Sequence, residues 1–232
     1  MSPLQRPGGT NHYLHRIYRF LGSGFRDRRM VRFLELIGDV QNPLILDVGG
    51  DPATWAHEQR QSLQVHLLNK AFAGDTFADN LIKVIGDARH LPFGINAYSA
   101  CFSNSVIEHV GSWADQRAFA GEIRRISRLV WVQTPSRRCL VEPHYLTLFL
   151  HWTPRNFQKR CLRFLSVWGL LTKPDQATID RIVNEVRLLS KKEMVTLFPD
   201  CKILTERLFG IFPKSYVAVR TEPGYLPTSD LH

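Results

Sequence analysis

One short segment in the first quarter of the chain constrains the fold more than any other. Residues 43–50 are Pro-Leu-Ile-Leu-Asp-Val-Gly-Gly, an apolar run that ends in an acid and two glycines. Such a run indicates a buried parallel strand that stops at a tight turn, where the backbone can approach a ligand closely. Asp51 and Pro52 then suit the N-cap and the first position of a helix. Strand, glycine turn and helix in this order build a nucleotide-type pocket, in which helix amides face the ligand.

Apolar runs alternate with helical patterns along the rest of the chain. Strands are predicted at 43–48, 64–69, 82–85, 100–103, 129–133, 201–208 and 215–220, and helices near 53–62 and over 114–127. Strands that alternate with helices imply a mostly parallel sheet covered on both faces. We therefore predict an α/β fold, a Rossmann-like and mostly parallel seven-stranded sheet with a helical lid insertion after strand five.

The composition divides the chain into one domain and two flanking segments. Residues 1–40 are predicted to form a basic tail, disordered over its first ten residues, and two helices broken at Gly22-Ser23-Gly24. Residues 41–220 form the main domain, within which 136–175 is a lid-like insertion. Residues 221–232 are predicted to be a C-terminal tail.

The net charge of +9 is concentrated in two segments. Residues 1–40 hold seven Arg against three acids, and residues 136–172 hold six Arg or Lys against Glu142 alone. Such clusters suit nucleic acid, an anionic lipid surface or an acidic substrate, and a merely solvated basic face suits them equally well.

The cysteine and hydropathy patterns bear on the compartment. The four cysteines are far apart and form no Cys-x-x-Cys pair, which is typical of reduced thiols in a cytosolic protein. The N-terminus lacks the apolar core of a signal peptide, and no window reaches the roughly 18 apolar residues that a spanning helix needs. We expect a cytoplasmic protein, and peripheral contact with a membrane stays open as an alternative.

Three motifs carry a resemblance to a known family. They are the glycine turn at 46–50, Gly-Asp-Ala-Arg-His-Leu-Pro-Phe at 86–93, and Phe-Ser-Asn-Ser-Val-Ile-Glu-His-Val at 102–110. In their order and spacing the chain resembles a class I S-adenosylmethionine-dependent methyltransferase of the small-molecule, methyltransferase-type-11-like kind, over roughly residues 40–220. The combination is far more specific than any single motif.

The resemblance implies that S-adenosyl-L-methionine is the cofactor. The residues implied to bind it are Asp47, Val48, Gly49, Gly50, Asn69, Asp87, Ala88, Ser103 and Asn104. Asp47 and the glycine backbone would hold the methionine end of the cofactor. Asp87 would accept a hydrogen bond from the adenine amino group, with the Ala88 N–H facing the ring. Carboxylates and carbonyl groups also suit the positive charge of the sulfonium.

Two positions depart from the family pattern. Asp51 stands where a second glycine is usual, and we interpret it as a helix cap in preference to a partner for the cofactor's ammonium group. Asn69 stands where an acid usually binds the ribose hydroxyls. Its side chain can form hydrogen bonds with a diol, but these bonds lack the charge-assisted strength of bonds to a carboxylate. These departures leave open a non-catalytic, cofactor-binding member of the fold.

Two histidines are the candidates for contact with the methyl acceptor. His109 follows strand four and His144 follows strand five, where polar side chains line the cleft of such a sheet. A neutral imidazole there can take a proton from a hydroxyl, although methyl transfer is an in-line displacement for which a base is optional. Structural roles stay open, because His109 could pack a helix and His144 could bond the backbone of a turn.

No metal is predicted at this site. Some ubiquinone-pathway O-methyltransferases that the chain resembles bind a metal through a Glu-x-x-Glu-His segment. In this chain Ser105 replaces the first of these acids, so the resemblance does not extend to the metal site.

The acceptor is the least constrained part of the function. In residues 145–171, large apolar side chains alternate with Arg and Lys. This pattern is typical of a lid that receives an apolar or lipid-linked acceptor at an anionic membrane. It is equally a pattern of an ordinary amphipathic helix that covers the sheet. The leading hypothesis is methyl transfer to a hydroxyl or carboxyl oxygen of a small molecule, a glycan or a lipid-linked acceptor. The oligomeric state stays unknown.

Other functions are disfavoured by specific residues. An RNA or other nucleic-acid methyltransferase fits the basic clusters, but Ser103-Asn104-Ser105-Val106 replaces the Asp/Asn-Pro-Pro-aromatic tetrad of enzymes that methylate base amino groups. No RNA-binding module is appended either. A nicotinamide-dependent oxidoreductase is disfavoured because the Gly-x-Gly-x-x-Gly turn is absent.

Overall fold

A computed structural model of the chain describes residues 12–38, 40–55, 60–72, 78–142 and 144–221, with the side chains of the first helix described from Gly24 onward. The helices are α1 (His12–Ile37), α2 (Pro52–Trp55), α3 (Trp113–Ile126), α4 (Arg155–Leu165), α5 (Val167–Thr172), α6 (Gln176–Glu185) and α7 (Lys191–Leu197). The strands are β1 (Leu44–Val48), β2 (Gln64–Asn69), β3 (Leu81–Ile85), β4 (Tyr98–Asn104), β5 (Ser127–Pro135), β6 (Val141–Glu142), β7 (Thr147–Leu148), β8 (Lys202–Leu208) and β9 (Phe212–Arg220).

Seven of the strands in the described part of the chain form one sheet, in the order β3-β2-β1-β4-β5-β9-β8. The first five of these are parallel, and β9 runs antiparallel between β5 and β8. The predicted Rossmann-like, mostly parallel seven-stranded sheet is therefore confirmed. The strand order reverses between β1 and β4, and ligands bind at such a reversal, outside the carboxyl ends of the strands.

Apolar clusters cover both faces of the sheet. Along β1, Leu46 and Val48 pack into the cluster that contains α3 and α7, whereas Ile45 packs into the cluster that contains α1. This division follows from the alternation of side chains along a strand. Ser112 and Ser190 begin α3 and α7 with capping boxes, and the segment Ser190-Lys191-Lys192-Glu193 predicts the second from the sequence, because Ser and Glu three residues apart form this pattern.

The first helix differs from its prediction. The structure has one continuous helix, α1, where the sequence predicted a break at Gly22-Ser23-Gly24. A glycine costs only about 1 kcal/mol relative to alanine in a helix. Met30 and Phe33 of α1 are buried against the sheet, and packing of this kind outweighs a local preference of that size.

Other predicted bounds hold in part. The strand predicted at 215–220 begins earlier, at Phe212, because a bulge between Glu206 and Arg207 lets the β8–β9 hairpin continue pairing as far as Leu208 with Phe212. The helix predicted near 53–62 is seen only as α2, because residues 56–59 lie outside the described residues, as do the tails 1–11 and 222–232.

The segment between β5 and α7 contains the region predicted as a lid. It holds the β6–β7 hairpin, α4, α5 and α6, and has an apolar cluster of its own that includes Tyr145, Leu162, Trp168 and Ile182. Within the described residues, no helix is long and apolar enough to cross a membrane.

A buried ion pair joins α1 to the far edge of the sheet. Arg29 Nε lies 2.8 Å from Glu206 Oε1, and Arg29 Nη2 lies 2.5 Å from Glu206 Oε2. The two side chains are 7% and 3% exposed. Burial alone would raise the pKa of Glu206, but the charge of Arg29 and hydrogen bonds from Arg29 and Ser215 hold it below its usual value.

Replacement of Arg29 tests this pair. We expect Arg29→Ala to lower the free energy of unfolding by about 3–5 kcal/mol at neutral pH, because it leaves a buried carboxylate without its counter-charge. Arg26→Ala, an exposed change on the same helix, should alter that free energy by less than about 0.5 kcal/mol. Urea denaturation of both variants measures the difference. Equal and small effects would show that the pair does not anchor α1.

Candidate functional site

The turn after β1 requires glycine at both positions. Gly49 has φ +73°, a conformation that disfavours side chains, and its N–H donates to the Leu68 carbonyl oxygen at 2.8 Å. A Cβ at Gly49 would overlap the Val106 side chain, and a Cβ at Gly50 would lie 2.5 Å from Asp47 Oδ2. The backbone therefore passes close to its neighbours at the point where the strand order reverses.

Side chains from the two neighbouring strands hold this turn in place. Asn69 at the end of β2 donates through Nδ2 to the Gly50 carbonyl oxygen at 2.9 Å. Ser103 on β4 is fully buried and donates to the Val48 carbonyl oxygen at 3.2 Å. The bond made by Asn69 uses its amide donor and not its carbonyl oxygen. The structure thus gives both residues a role beside the turn, and their contact with a cofactor stays a prediction.

Asp47 lies beneath the turn. Its side chain is buried, and Trp55 Nε1 donates to Oδ2 at 2.7 Å. Burial raises the pKa of Asp47 to about 7, against a smaller lowering by the bond from Trp55. The Asp51 carboxylate accepts from the Ala53 N–H at 3.0 Å, and the interpretation of Asp51 as a helix cap is confirmed.

Asp87, just beyond β3, is paired with an arginine that the sequence analysis missed. Arg89 Nη2 lies 2.6 Å from Asp87 Oδ2, and the Arg89 backbone N–H donates to Oδ1 at 3.0 Å. These bonds lower the pKa of Asp87 to about 2, so the carboxylate is ionised and held in one orientation beside the buried Ala88. Arg89 also bonds Asp115 at 2.6 Å. The close spacing of Asp87 and Arg89 along the chain is the sequence feature from which this ion pair could have been predicted.

Asn104 ends β4 at the same edge of the sheet. Among the described residues its buried Oδ1 has no hydrogen-bond partner. A buried acceptor in this state costs about 1–3 kcal/mol. The atom is therefore suited to a donor that a bound molecule supplies.

The two predicted histidines meet beyond the ends of β4 and β5, with His109 in a short 3₁₀ helix after β4 (Ile107–His109) and His144 in the turn between β6 and β7. Nε2 of His144 lies 3.0 Å from Nε2 of His109, and Nδ1 of His144 lies 2.5 Å from Glu142 Oε1. Glu108 is fully buried, and its Oε2 accepts from Thr134 Oγ1 at 2.9 Å. Its other oxygen, Oε1, lies 3.8 Å from His144 Nε2 and 4.0 Å from His109 Nε2. The sequence named both histidines but did not predict their contact, nor Glu108 as a member of the site.

The surroundings set different charges on these groups. Burial, and then the charge of His144, lower the pKa of His109 to about 3. Burial alone would lower the pKa of His144 as well, but the neighbouring Glu142 and Glu108 raise it. Burial raises the pKa of Glu108. His109 is thus neutral, and its side chain, 16% exposed, is the more accessible of the two imidazoles.

Comparison with known proteins places the fold. No model of a known protein family matches the chain, and no curated protein matches it. Geranyl diphosphate C-methyltransferase from Streptomyces coelicolor, solved with Mg²⁺, geranyl diphosphate and S-adenosyl-L-homocysteine, matches with a TM-score of 0.54 at 13% identity, over 94% of this chain and 88% of that one. Magnesium protoporphyrin IX methyltransferase from Synechocystis, solved with S-adenosylhomocysteine, matches with a TM-score of 0.53 at 11% identity, over 94% and 91%.

These likenesses identify the class of fold. The chain has the fold of the class I S-adenosylmethionine-dependent methyltransferases, as the three sequence motifs implied. The narrower resemblance to the methyltransferase-type-11-like family stays a prediction, since no family model matches.

The buried Asp47 predicts a pH dependence of stability. Its pKa of about 7 in the folded protein lies above the value of about 3.9 in an unfolded chain, so its contribution is full below about pH 4 and is lost as the pH rises through 7. We expect the free energy of unfolding of the wild type, relative to Asp47→Asn, to fall across this range. Asp175→Asn is the control. The pKa of Asp175 is lowered in the folded protein, so the free energy of unfolding of the wild type relative to this variant should rise, and not fall, as the pH rises. Parallel pH profiles for the wild type and Asp47→Asn would refute the prediction.

Proposed function

We propose that the chain is an S-adenosylmethionine-dependent methyltransferase that acts on an oxygen of a small-molecule, glycan or lipid-linked acceptor. The observation that carries the proposal is the edge of the sheet around the strand reversal. There the glycine turn after β1, the ionised Asp87 after β3 and the unsatisfied Asn104 Oδ1 at the end of β4 all lie at the carboxyl ends of parallel strands of one sheet. A cofactor that combines a cation, a ribose and an adenine has a complementary group for each of these.

The cofactor lies across this edge in the proposal. The amides and carbonyls of the Gly49–Gly50 turn hold the methionine end, and its ammonium group favours the ionised form of Asp47. Asn69 faces the ribose with its carbonyl oxygen. Asp87 accepts from the adenine amino group, since the backbone N–H, Nε and Nη2 of Arg89 supply three donors to about four lone-pair sites of an ionised carboxylate and leave one for the adenine.

The acceptor oxygen lies on the side of His109 and His144. In the reaction a lone pair of that oxygen forms a bond to the methyl carbon, the carbon–sulfur bond breaks, and the sulfur keeps its electron pair. The proton of a hydroxyl acceptor leaves for the histidine cluster or for water. Close and aligned positioning of donor and acceptor supplies much of the rate in a displacement of this kind.

The surface of α4 and α5 supports an acceptor embedded in a membrane. Of the residues of α4, all of them described, only Leu162 is fully buried, which does not fit a helix that simply covers the sheet. Phe164, Leu165 and Leu170 are 66%, 56% and 58% exposed. Basic residues alternate with the apolar ones on α4, namely Arg155, Lys159, Arg160 and Arg163, and Arg137 and Arg138 lie on the loop between β5 and β6. Exposed apolar side chains among cations suit the interface of an anionic bilayer.

Titration with S-adenosylhomocysteine tests the cofactor site. We expect calorimetry to show that the wild type binds S-adenosylhomocysteine and does not bind NAD. Asp87→Asn should weaken the binding of S-adenosylhomocysteine about 10- to 100-fold, because one charge-assisted hydrogen bond contributes about 1.5–3 kcal/mol. Asp115→Asn is the matched control. It removes the other carboxylate on Arg89 without touching Asp87, and should leave the affinity within about threefold.

Two results would contradict the assignment. Absence of binding by the wild type would remove the proposed activity. Equal losses in Asp87→Asn and Asp115→Asn would show that Asp87 acts only through Arg89.

Vesicle binding tests the membrane surface. We expect sedimentation with anionic phosphatidylglycerol vesicles at low salt and not with neutral phosphatidylcholine vesicles. The double variant Phe164→Ser/Leu165→Ser should weaken binding at least about tenfold, because each buried large apolar side chain contributes about 1.5–3 kcal/mol. Phe209→Ser, which removes an even more exposed apolar side chain, at 82%, from the β8–β9 turn, should have no effect. Equal losses in both variants, or no binding to anionic vesicles, would exclude this surface.

A further inference from the structure

Three ligand atoms converge beyond the ends of β4 and β5. In the described part of the chain, Glu108, His109 and His144 each direct one potential ligand atom to a common point, and these atoms all lie within 4.8 Å of one another. The separations are 3.0 Å between the two Nε2 atoms and 3.8 and 4.0 Å from them to Glu108 Oε1. Tetrahedral bonds of about 2.0–2.1 Å place ligand atoms about 3.3 Å apart, so small rotations of these side chains complete such a geometry.

One of these atoms is buried without a hydrogen bond to any residue that the structure describes. Glu108 is 0% exposed, and its Oε1 has no hydrogen-bond partner among the described residues. A buried carboxylate oxygen without a partner carries a large cost. Two imidazole nitrogens facing each other can share only a single proton. A cation at the common point would satisfy all three atoms at once.

The groups behind these atoms have the arrangement of an outer coordination shell. Glu142 Oε1 lies 2.5 Å from Nδ1 of His144, which directs Nε2 of that ring at the common point. Thr134 Oγ1 donates to Glu108 Oε2 at 2.9 Å and so directs Oε1 inward. Carboxylate–histidine pairs of this kind orient metal ligands and make them more basic.

We propose that Glu108 Oε1, His109 Nε2 and His144 Nε2 bind a divalent transition-metal ion such as Zn²⁺ or Fe²⁺. Two imidazoles and one carboxylate are a ligand set for these ions, and three protein ligands leave a position open. Mg²⁺ is disfavoured, because it prefers oxygen ligands. The sequence predicted no metal because Ser105 replaces an acid, but His144, 35 residues beyond His109, supplies the third ligand.

The role of the ion rests on the proposed function. The acceptor oxygen would take the open position beside His109, whose side chain is 16% exposed, and the metal would act as a Lewis acid. A metal held there would make the proton of a hydroxyl acceptor easier to lose to solvent, and the acceptor oxygen would then form its bond to the methyl carbon while the sulfur keeps the electron pair of the broken bond. The two histidines then act as ligands, and neither is a general base.

Metal binding by the full chain tests this site without any acceptor. Protein stripped with a chelator is titrated with Zn²⁺ and, separately, with Co²⁺, whose visible d–d absorption reports its ligands. We expect one ion per chain, loss of stoichiometric binding in His144→Asn and Glu108→Gln, and binding weakened about 10- to 100-fold by Glu142→Gln, which touches the ion only through His144. His90→Gln, an exposed histidine outside the cluster, is the control and should bind as the wild type does.

The outcomes separate this proposal from the preceding one. Failure of the wild type to bind either ion, or equal binding by His144→Asn and His90→Gln, would overturn the metal site. S-adenosylhomocysteine affinity is measured on the same samples. Its retention in the ligand variants shows that they are folded, and its absence from a wild type that binds Zn²⁺ would refute the methyltransferase function and leave the metal site standing.

Discussion

The close contact between the Gly49–Gly50 turn and its neighbours is the constraint on which the rest of the site depends. Val106 and the Asp47 carboxylate occupy the space that side chains would need at the two glycines, so the backbone turns sharply where β1 ends. Asn69 and Ser103 hold the turn from the adjacent strands. The turn therefore places the ends of β2, β1 and β4 around one cleft, and the remaining polar groups of the site lie along its rim.

The polar groups of this cleft are arranged at a cost in stability. Asp47 and Glu108 are fully buried acids with raised pKa values, and Asn104 Oδ1 and Glu108 Oε1 have no hydrogen-bond partner among the described residues. At the far edge of the sheet, by contrast, the ion pair of Arg29 with Glu206 matches two buried charges. Buried polar atoms without a partner also occur elsewhere among the described residues, but Asn104 Oδ1 and Glu108 Oε1 lie at and just after the end of β4, where a bound cation or cofactor would complete them.

Much of the fold follows from local patterns, and much of the site does not. Apolar runs and glycine positions predict the sheet, and Ser190 predicts the start of α7, because these signals act between residues near in sequence. The predicted break in α1 was wrong because packing of Phe33 outweighs the preference of glycine. The contact of His109 with His144 depends on the pairing of β4 with β5. The spacing of residues along the chain therefore reveals neither this contact nor the position of Glu108 beside the two histidines.

The most direct test of the account is a two-dimensional amide NMR titration of the isotope-labelled protein with S-adenosylhomocysteine. The account predicts that the largest shifts belong to Gly49, Gly50, Asn69, Ala88 and Asn104, and that amides of the β8–β9 hairpin do not move. Shifts confined to another surface, or none at saturating concentrations, would contradict the assignment of this edge of the sheet as a methyl-donor site.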